Sequence, residues 1–133
     1  MNKKLIGLCL AIVVCLSLSI SAFALPYGFT GILPAKQGDE EISTVTKETN
    51  ADTWLVEVSV TDTEYEVQRV HAWTERGLDV NCSSPSRTIS VGKEAVMDYD
   101  RIVPSVGENV TLNVDNPSYV SYTVEIEGSW SPR

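Results

Sequence analysis

The chain of 133 residues carries 18 Asp and Glu against 10 Lys and Arg, one His and three Cys, for a formal charge of −8. That length suits one domain, and the acidic balance disfavours nucleic acid, whose phosphates need Lys and Arg to neutralise them. With a single imidazole and so few thiols, a structural zinc site is nearly excluded as well.

Met1 to Lys4 is a short basic start, Leu5 to Ile20 is an almost unbroken apolar run, and Ala22-Phe23-Ala24 has the small-x-small pattern of a signal peptidase site. The expectation is export with cleavage after Ala24, so that 1–24 is a signal peptide and 25–133 the working domain. An apolar run of this length is also close to what spans a bilayer. Ser17, Ser19 and Ser21 thin its end, however, and Pro26 follows the cut. Leu8 and Val14, which precede Cys9 and Cys15, are too large for lipoprotein processing. No stable membrane anchor is therefore expected after cleavage, and the product is expected to be secreted. The cut leaves about 109 residues at a formal charge of roughly −10.

Cys82 is then the one remaining thiol. A lone Cys forms no intramolecular bridge, so the fold must be held by its core although export leads to an oxidising setting. It reads as a small buried residue beside the Ser83 to Ser86 turn. The alternative is a reactive or intermolecularly paired thiol, but no close cationic neighbour in sequence argues for a lowered pKa.

Turn signals recur at spacings of roughly 8 to 15 residues with Val, Thr and Tyr between them, the pattern of an all-β sandwich or barrel. We predict a single antiparallel β-sandwich of about seven or eight short strands. Leu25 to Leu33 holds Pro26, Gly28 and Gly31 and is at best an edge strand. Ile42 to Lys47 is a further candidate. Trp54 to Thr61 alternates cleanly, with Trp54, Val56, Val58 and Val60 inward. Tyr65 to Thr74 changes phase midway: Tyr65 and Val67 are apolar at odd positions, Val70 and Ala72 at even ones. Thr88 to Val91 is another candidate, and Lys93 to Val103 fits either a strand or one short helix. Asn109 to Val114 places Val110, Leu112 and Val114 inward. In the last segment Val120, Tyr122, Val124, Ile126, Gly128 and Trp130 share one face.

Chemistry is sparsely supplied. A nucleophile needs a base within hydrogen-bond reach, and the only imidazole is His71. A dyad with Cys82 lacks a glycine-rich nucleophile turn, so no catalytic residue is assigned and the chain is read as non-enzymatic. The acids at Asp39-Glu40-Glu41, at Asp62, Glu64 and Glu66, and at Asp98 and Asp100 read as a solvated surface. Calcium is the alternative for such runs, followed by paired-carboxylate glycosidase chemistry, but none mixes Asp, Asn and Gly as a dedicated loop does. No metal and no cofactor is expected.

The phase change before His71 is the informative irregularity. A bulge near Gln68 or Arg69 restores an apolar inner face and leaves Arg69, His71 and Trp73 side by side on the outer one. A cation, an imidazole and an aromatic ring in that arrangement could contact a sugar or a partner surface. Otherwise Trp73 belongs to the core and His71 is a satisfied, partly buried polar residue.

Thr53-Trp54 opening an alternating strand, the Gly92-Lys93 turn, Tyr27-Gly28-Phe29 and the closing Tyr122-Thr123-Val124-Glu125-Ile126-Glu127-Gly128-Ser129-Trp130 together resemble a family of small exported Gram-positive proteins that form a domain of unknown function. The likeness runs over most of residues 27 to 132, with Glu125-Ile126-Glu127 where the family has one residue. Some relatives are similar to lactococcin-972-like bacteriocins, small exported β-sandwiches acting on the cell envelope, from which this chain departs in being strongly acidic. The resemblance implies no catalytic residues. The expected function is a secreted binding protein acting on an unknown protein or glycan partner at or outside the cell envelope, in association with a bacteriocin or envelope-stress system. The alternative is a small carbohydrate-binding module with Trp73 and Tyr119 as its aromatic platform.

Overall fold

The computed structural model describes residues 25–38, 40–62, 66–77 and 79–133. The expected signal peptide, with its cleavage point after Ala24, lies outside the described residues. Among these the regular structure is β throughout, in nine strands: β1 (Tyr27–Leu33), β2 (Glu40–Thr46), β3 (Thr53–Val60), β4 (Arg69–Arg76), β5 (Val80–Asn81), β6 (Thr88–Ser90), β7 (Ala95–Asp98), β8 (Asn109–Asp115) and β9 (Val124–Ser131). They form two antiparallel sheets. The first has the order β1-β9-β3-β7; the second has β2-β8-β4-β5, with β6 also paired to β4.

Alternation explains how both sheets feed one core. Trp54, Val56 and Val58 of β3, with Ile126 and Trp130 of β9, meet Val70 and Ala72 of β4 and Val110, Leu112 and Val114 of β8 in a single hydrophobic cluster. Each pleat sends every second side chain to that cluster and the others outward. The register pairs Val56 with Trp130 and Ala72 with Val114, so apolar residues from adjacent strands lie side by side in the core. Gly128 allows the close approach of β9 to β3: a β-carbon there would lie 2.0 Å from the Glu57 carbonyl oxygen.

Several expectations need correction. Nine strands form instead of seven or eight, because Val80–Asn81 folds back on Glu75 and Arg76 as a two-residue strand too short to leave a periodic signal. The Lys93 to Val103 segment contains strand β7 and no helix: Leu55 and Val96 pair, and ladder bonds to β3 override the helical spacing. The last strand begins at Val124 and not at Val120, since residues 116–123 form the connection from β8, with the Val120 amide bonded to Pro117 O. Strand β4 likewise starts at Arg69, after the phase change, so that Val67 and Val70 are both buried.

A buried cation ties the end of the chain down. Lys47, 1 % exposed, donates through Nζ to Ala51 O at 2.6 Å, to Pro132 O at 3.2 Å and to Arg133 O. It sits 5.0 Å from the centroid of the Tyr99 ring, and the Tyr99 hydroxyl donates to the same Pro132 O at 2.6 Å. Burial pushes the Lys47 ammonium below its ordinary pKa, against the smaller opposing pull of Asp52.

Candidate functional site

The outer face of the second sheet is where the polar chemistry gathers. Strand β4 presents Arg69, His71, Trp73 and Glu75 there, because Val70 and Ala72 take the core side. Beside it β8 presents Thr111, Asn113 and Asp115. The register sets His71 opposite Asp115, Trp73 opposite Asn113 and Glu75 opposite Thr111. On the other flank of β8, Glu41 of β2 lies opposite Asn113.

A hollow of about 370 Å³ opens on this face, lined by His71, Trp73, Asp115, Gln37, Pro85 and Ser86. The loop carrying Gln37 is held in place from below. Asn116, fully buried, donates through Nδ2 to Leu33 O at 3.4 Å, Pro34 O at 2.9 Å and Tyr122 O at 3.4 Å. The Lys36 amide donates to Val120 O at 2.9 Å. Within that clamp Lys36 and Gln37 both adopt left-handed backbone, at φ 57° and 58°. Two consecutive non-glycine residues in this region cost roughly 1 kcal/mol or more each, a strain the surrounding bonds must hold.

The trio expected to face outward is only partly assembled. Trp73 does lie on the outer face, yet it is 4 % exposed and stands apart from the hydrophobic cluster. The ring is outward by alternation and covered by tertiary packing. Its Nε1–H donates to Glu75 Oε1 at 3.0 Å. His71 is half-buried, and its Nδ1 is buried with no hydrogen-bond partner. It is not the satisfied histidine of the blander reading. Arg69 is exposed on the same face, paired with Ser90, but does not line the hollow. Tyr119, the second aromatic of the platform reading, is 74 % exposed on the β8–β9 connection.

Cys82 takes no part. It is a free thiol in the core cluster, bonded through its backbone amide to Thr74 O. Burial pushes the thiol up to about 11, which leaves it protonated and unreactive at neutral pH.

The residues missed by sequence reasoning are Gln37, Asp115, Glu75 and Asp79; the last two approach Glu41, of the Asp39-Glu40-Glu41 run, with carboxylate oxygens within 4.8 Å of one another. These three acids come from β2, β4 and the β4–β5 turn. Of the two further acids, Glu75 had a readable signal, as the next outward position after Trp73. No family model, curated protein or solved structure matches the chain.

Proposed function

We propose that this is an exported, single-domain β-sandwich that acts as a non-catalytic binding protein at or outside the cell envelope and engages its partner through the His71–Trp73–Asp115 hollow. The observation that carries the reading is the unpartnered, buried Nδ1 of His71 at the edge of a concavity that Gln37 and Asp115 also line. Buried polar groups left without partners are rare and favour a site that a ligand completes. The sandwich arrangement is supported by the two sheets sharing one core cluster. Export is supported by the basic, apolar and small-x-small succession over residues 1 to 24. Among the described residues no helix is long and apolar enough to cross a membrane.

A non-catalytic role is supported by the separation of the only imidazole from the thiol, which is buried in the core and absent from the hollow. Association with a bacteriocin or envelope-stress system has the resemblance of the Tyr27 to Trp130 segment as its support. The partner is read as a protein offering a polar group to the unpartnered Nδ1 of His71. A small carbohydrate-binding module is the second reading, favoured by the mixed lining of the hollow, in which Trp73 and Pro85 stand beside Gln37, His71, Ser86 and Asp115. Trp73 would then contribute an edge and not a stacking face, since a platform needs an exposed ring.

Capture from cell-envelope extracts, with protein and polysaccharide fractions assayed separately, tests the proposal. His71→Ala and Ser86→Trp, the latter filling the hollow from an exposed position, are expected to abolish capture, while Glu57→Gln on the other sheet preserves it. Retention by both hollow variants refutes the assignment of the site; exclusive capture of polysaccharide selects the second reading.

A further inference from the structure

The lateral edges of the two sheets are unlike one another. An edge strand presents unpaired N–H and C=O groups to any other chain, and proteins blunt such edges with charges, bulges or short length. In the second sheet, β2 carries Glu40 and Glu41 and a register shift between Glu41 and Ser43, while β5 and β6 at the opposite edge are two and three residues long. In the first sheet, β7 has four residues and ends in Asp98, which Arg87 approaches at 4.0 Å. Strand β1 has none of these devices. Its seven residues include no charge and no Pro, its register with β9 is unbroken from Tyr27 to Leu33, and among the described residues no strand pairs with its other side.

The order of large and small side chains along this edge is self-complementary. At its ends the Tyr27 hydroxyl donates to Glu48 and Leu33 O accepts from Asn116, so the segment offered for pairing is Gly28 to Ile32. Gly28, Thr30 and Ile32 face outward and are exposed, Ile32 at 57 %. Antiparallel pairing of the segment with itself about a two-fold axis at Thr30 sets Ile32 opposite Gly28 of the second copy, Phe29 opposite its Gly31, and Thr30 opposite its Thr30. Each large residue thus meets a glycine, and a Thr–Thr contact is a favourable cross-strand pair. A two-fold interface requires one patch to fit itself, a condition the sequence of β1 satisfies. A slip of one residue would turn the core face of the second copy outward, which fixes the register.

We propose that the β1 edges of two copies of this chain pair antiparallel about Thr30, joining two four-stranded sheets into one continuous sheet. The formal charge of −8 makes two copies repel, and the uncharged edge is where they can meet. Five residues a side is well short of the roughly 20–30 of a standard interface. The dimer is therefore weak and concentration-dependent, with Kd about 10 to 100 μM, and salt strengthens it by screening the repulsion. This goes beyond the function proposed above, since the hollow lies on the second sheet.

Analytical ultracentrifugation of the purified protein from about 1 to 500 μM tests it. A rise from one chain to two is expected, at lower protein concentration when salt is raised. Thr30→Lys sets two ammonium groups against each other at the axis and should weaken association at least about tenfold. Thr30→Cys places a thiol opposite its counterpart at a Cα separation of about 4.5–5.5 Å, within the reach of a disulfide, so mild oxidation should link two chains. Ile32→Cys, about 13 Å from its counterpart along the ladder, should not link them, and Cys82 is buried in both variants. The Cys pair hardly changes side-chain size, so its result stands independently of how the Lys variant folds. A single-chain mass up to about 500 μM overturns the proposal and leaves the edge to a strand of a different protein. Equal linking of the two Cys variants also overturns it, as the mark of contact without register.

Discussion

Replacing Lys47 by Met removes the charge but keeps much of the side-chain volume, and so isolates what the buried ammonium contributes. Three carbonyls lose a donor: Ala51 O, Pro132 O and Arg133 O. Hydrogen bonds to charged groups are worth about 1.5–3 kcal/mol each, which gives a gross loss of roughly 5–9 kcal/mol. Against this stands the regained cost of burying a cation, several kcal/mol after relaxation. Two of the three carbonyls belong to part-buried bonds and can rehydrate, and Pro132 O keeps the Tyr99 hydroxyl. The expected net destabilisation is therefore about 2–4 kcal/mol. For a domain of this size that lowers Tm by roughly 8–16 °C.

Urea titration followed by Trp emission measures the effect, since Trp54 and Trp130 are fully buried and report global unfolding. Tyr99→Phe alone should cost about 1 kcal/mol. The double variant should depart from additivity, because both side chains grip Pro132 O. A Lys47→Met protein within about 0.5 kcal/mol of the parent would refute the reasoning and show that desolvation cancels the three bonds.

Two further outcomes follow from the core. The Cys82 thiol has its ordinary pKa of 9.0 in the unfolded chain and about 11 when folded. Its contribution to stability is thus fully present below pH 9 and is lost as pH rises towards 11, because there the unfolded chain releases the proton first. Lys47, whose folded pKa is lowered, acts in the opposite direction at alkaline pH. The difference in unfolding free energy between parent and Cys82→Ala, measured from pH 7 to 11, isolates the thiol, and a flat difference would contradict the assignment. Gly128→Ala places a β-carbon 2.0 Å from Glu57 O and 2.8 Å from Phe29 Cζ. Since backbone cannot yield as a flexible side chain does, a loss of about 3 kcal/mol or more is expected by chemical denaturation, and a near-neutral variant would show that β9 can move away from β3.

Much of the fold was legible because burial on one face of a sheet writes a period of two into the sequence. Trp54 to Val58, Val110 to Val114 and Val124 to Trp130 all place the expected residues in the core. Legibility failed where pairing and not periodicity decides structure. Val80–Asn81 is a strand only because β4 lies beside it, and Ala95–Asp98 becomes one through its ladder to β3. Of the site, His71 and Trp73 could be singled out from the phase change after Val67. Gln37 and Asp115 could not, since each comes from a segment distant in sequence and joins them only across the folded face.

The sequence by itself determined an all-β domain and the inward face of each clear strand, because these depend on local alternation and on the need to bury apolar surface, while the phase of His71 and Trp73 stayed open between the two faces. Only the tertiary structure decided that Trp73 is covered, that Lys47 is a buried anchor and that Glu41, Glu75 and Asp79 converge. Those outcomes depend on which strands become neighbours and in what register. Such choices are made by contacts between residues 30 to 90 positions apart, as in the reach of Lys47 to Pro132 or of Arg76 to Glu108, and no local pattern in the chain records them.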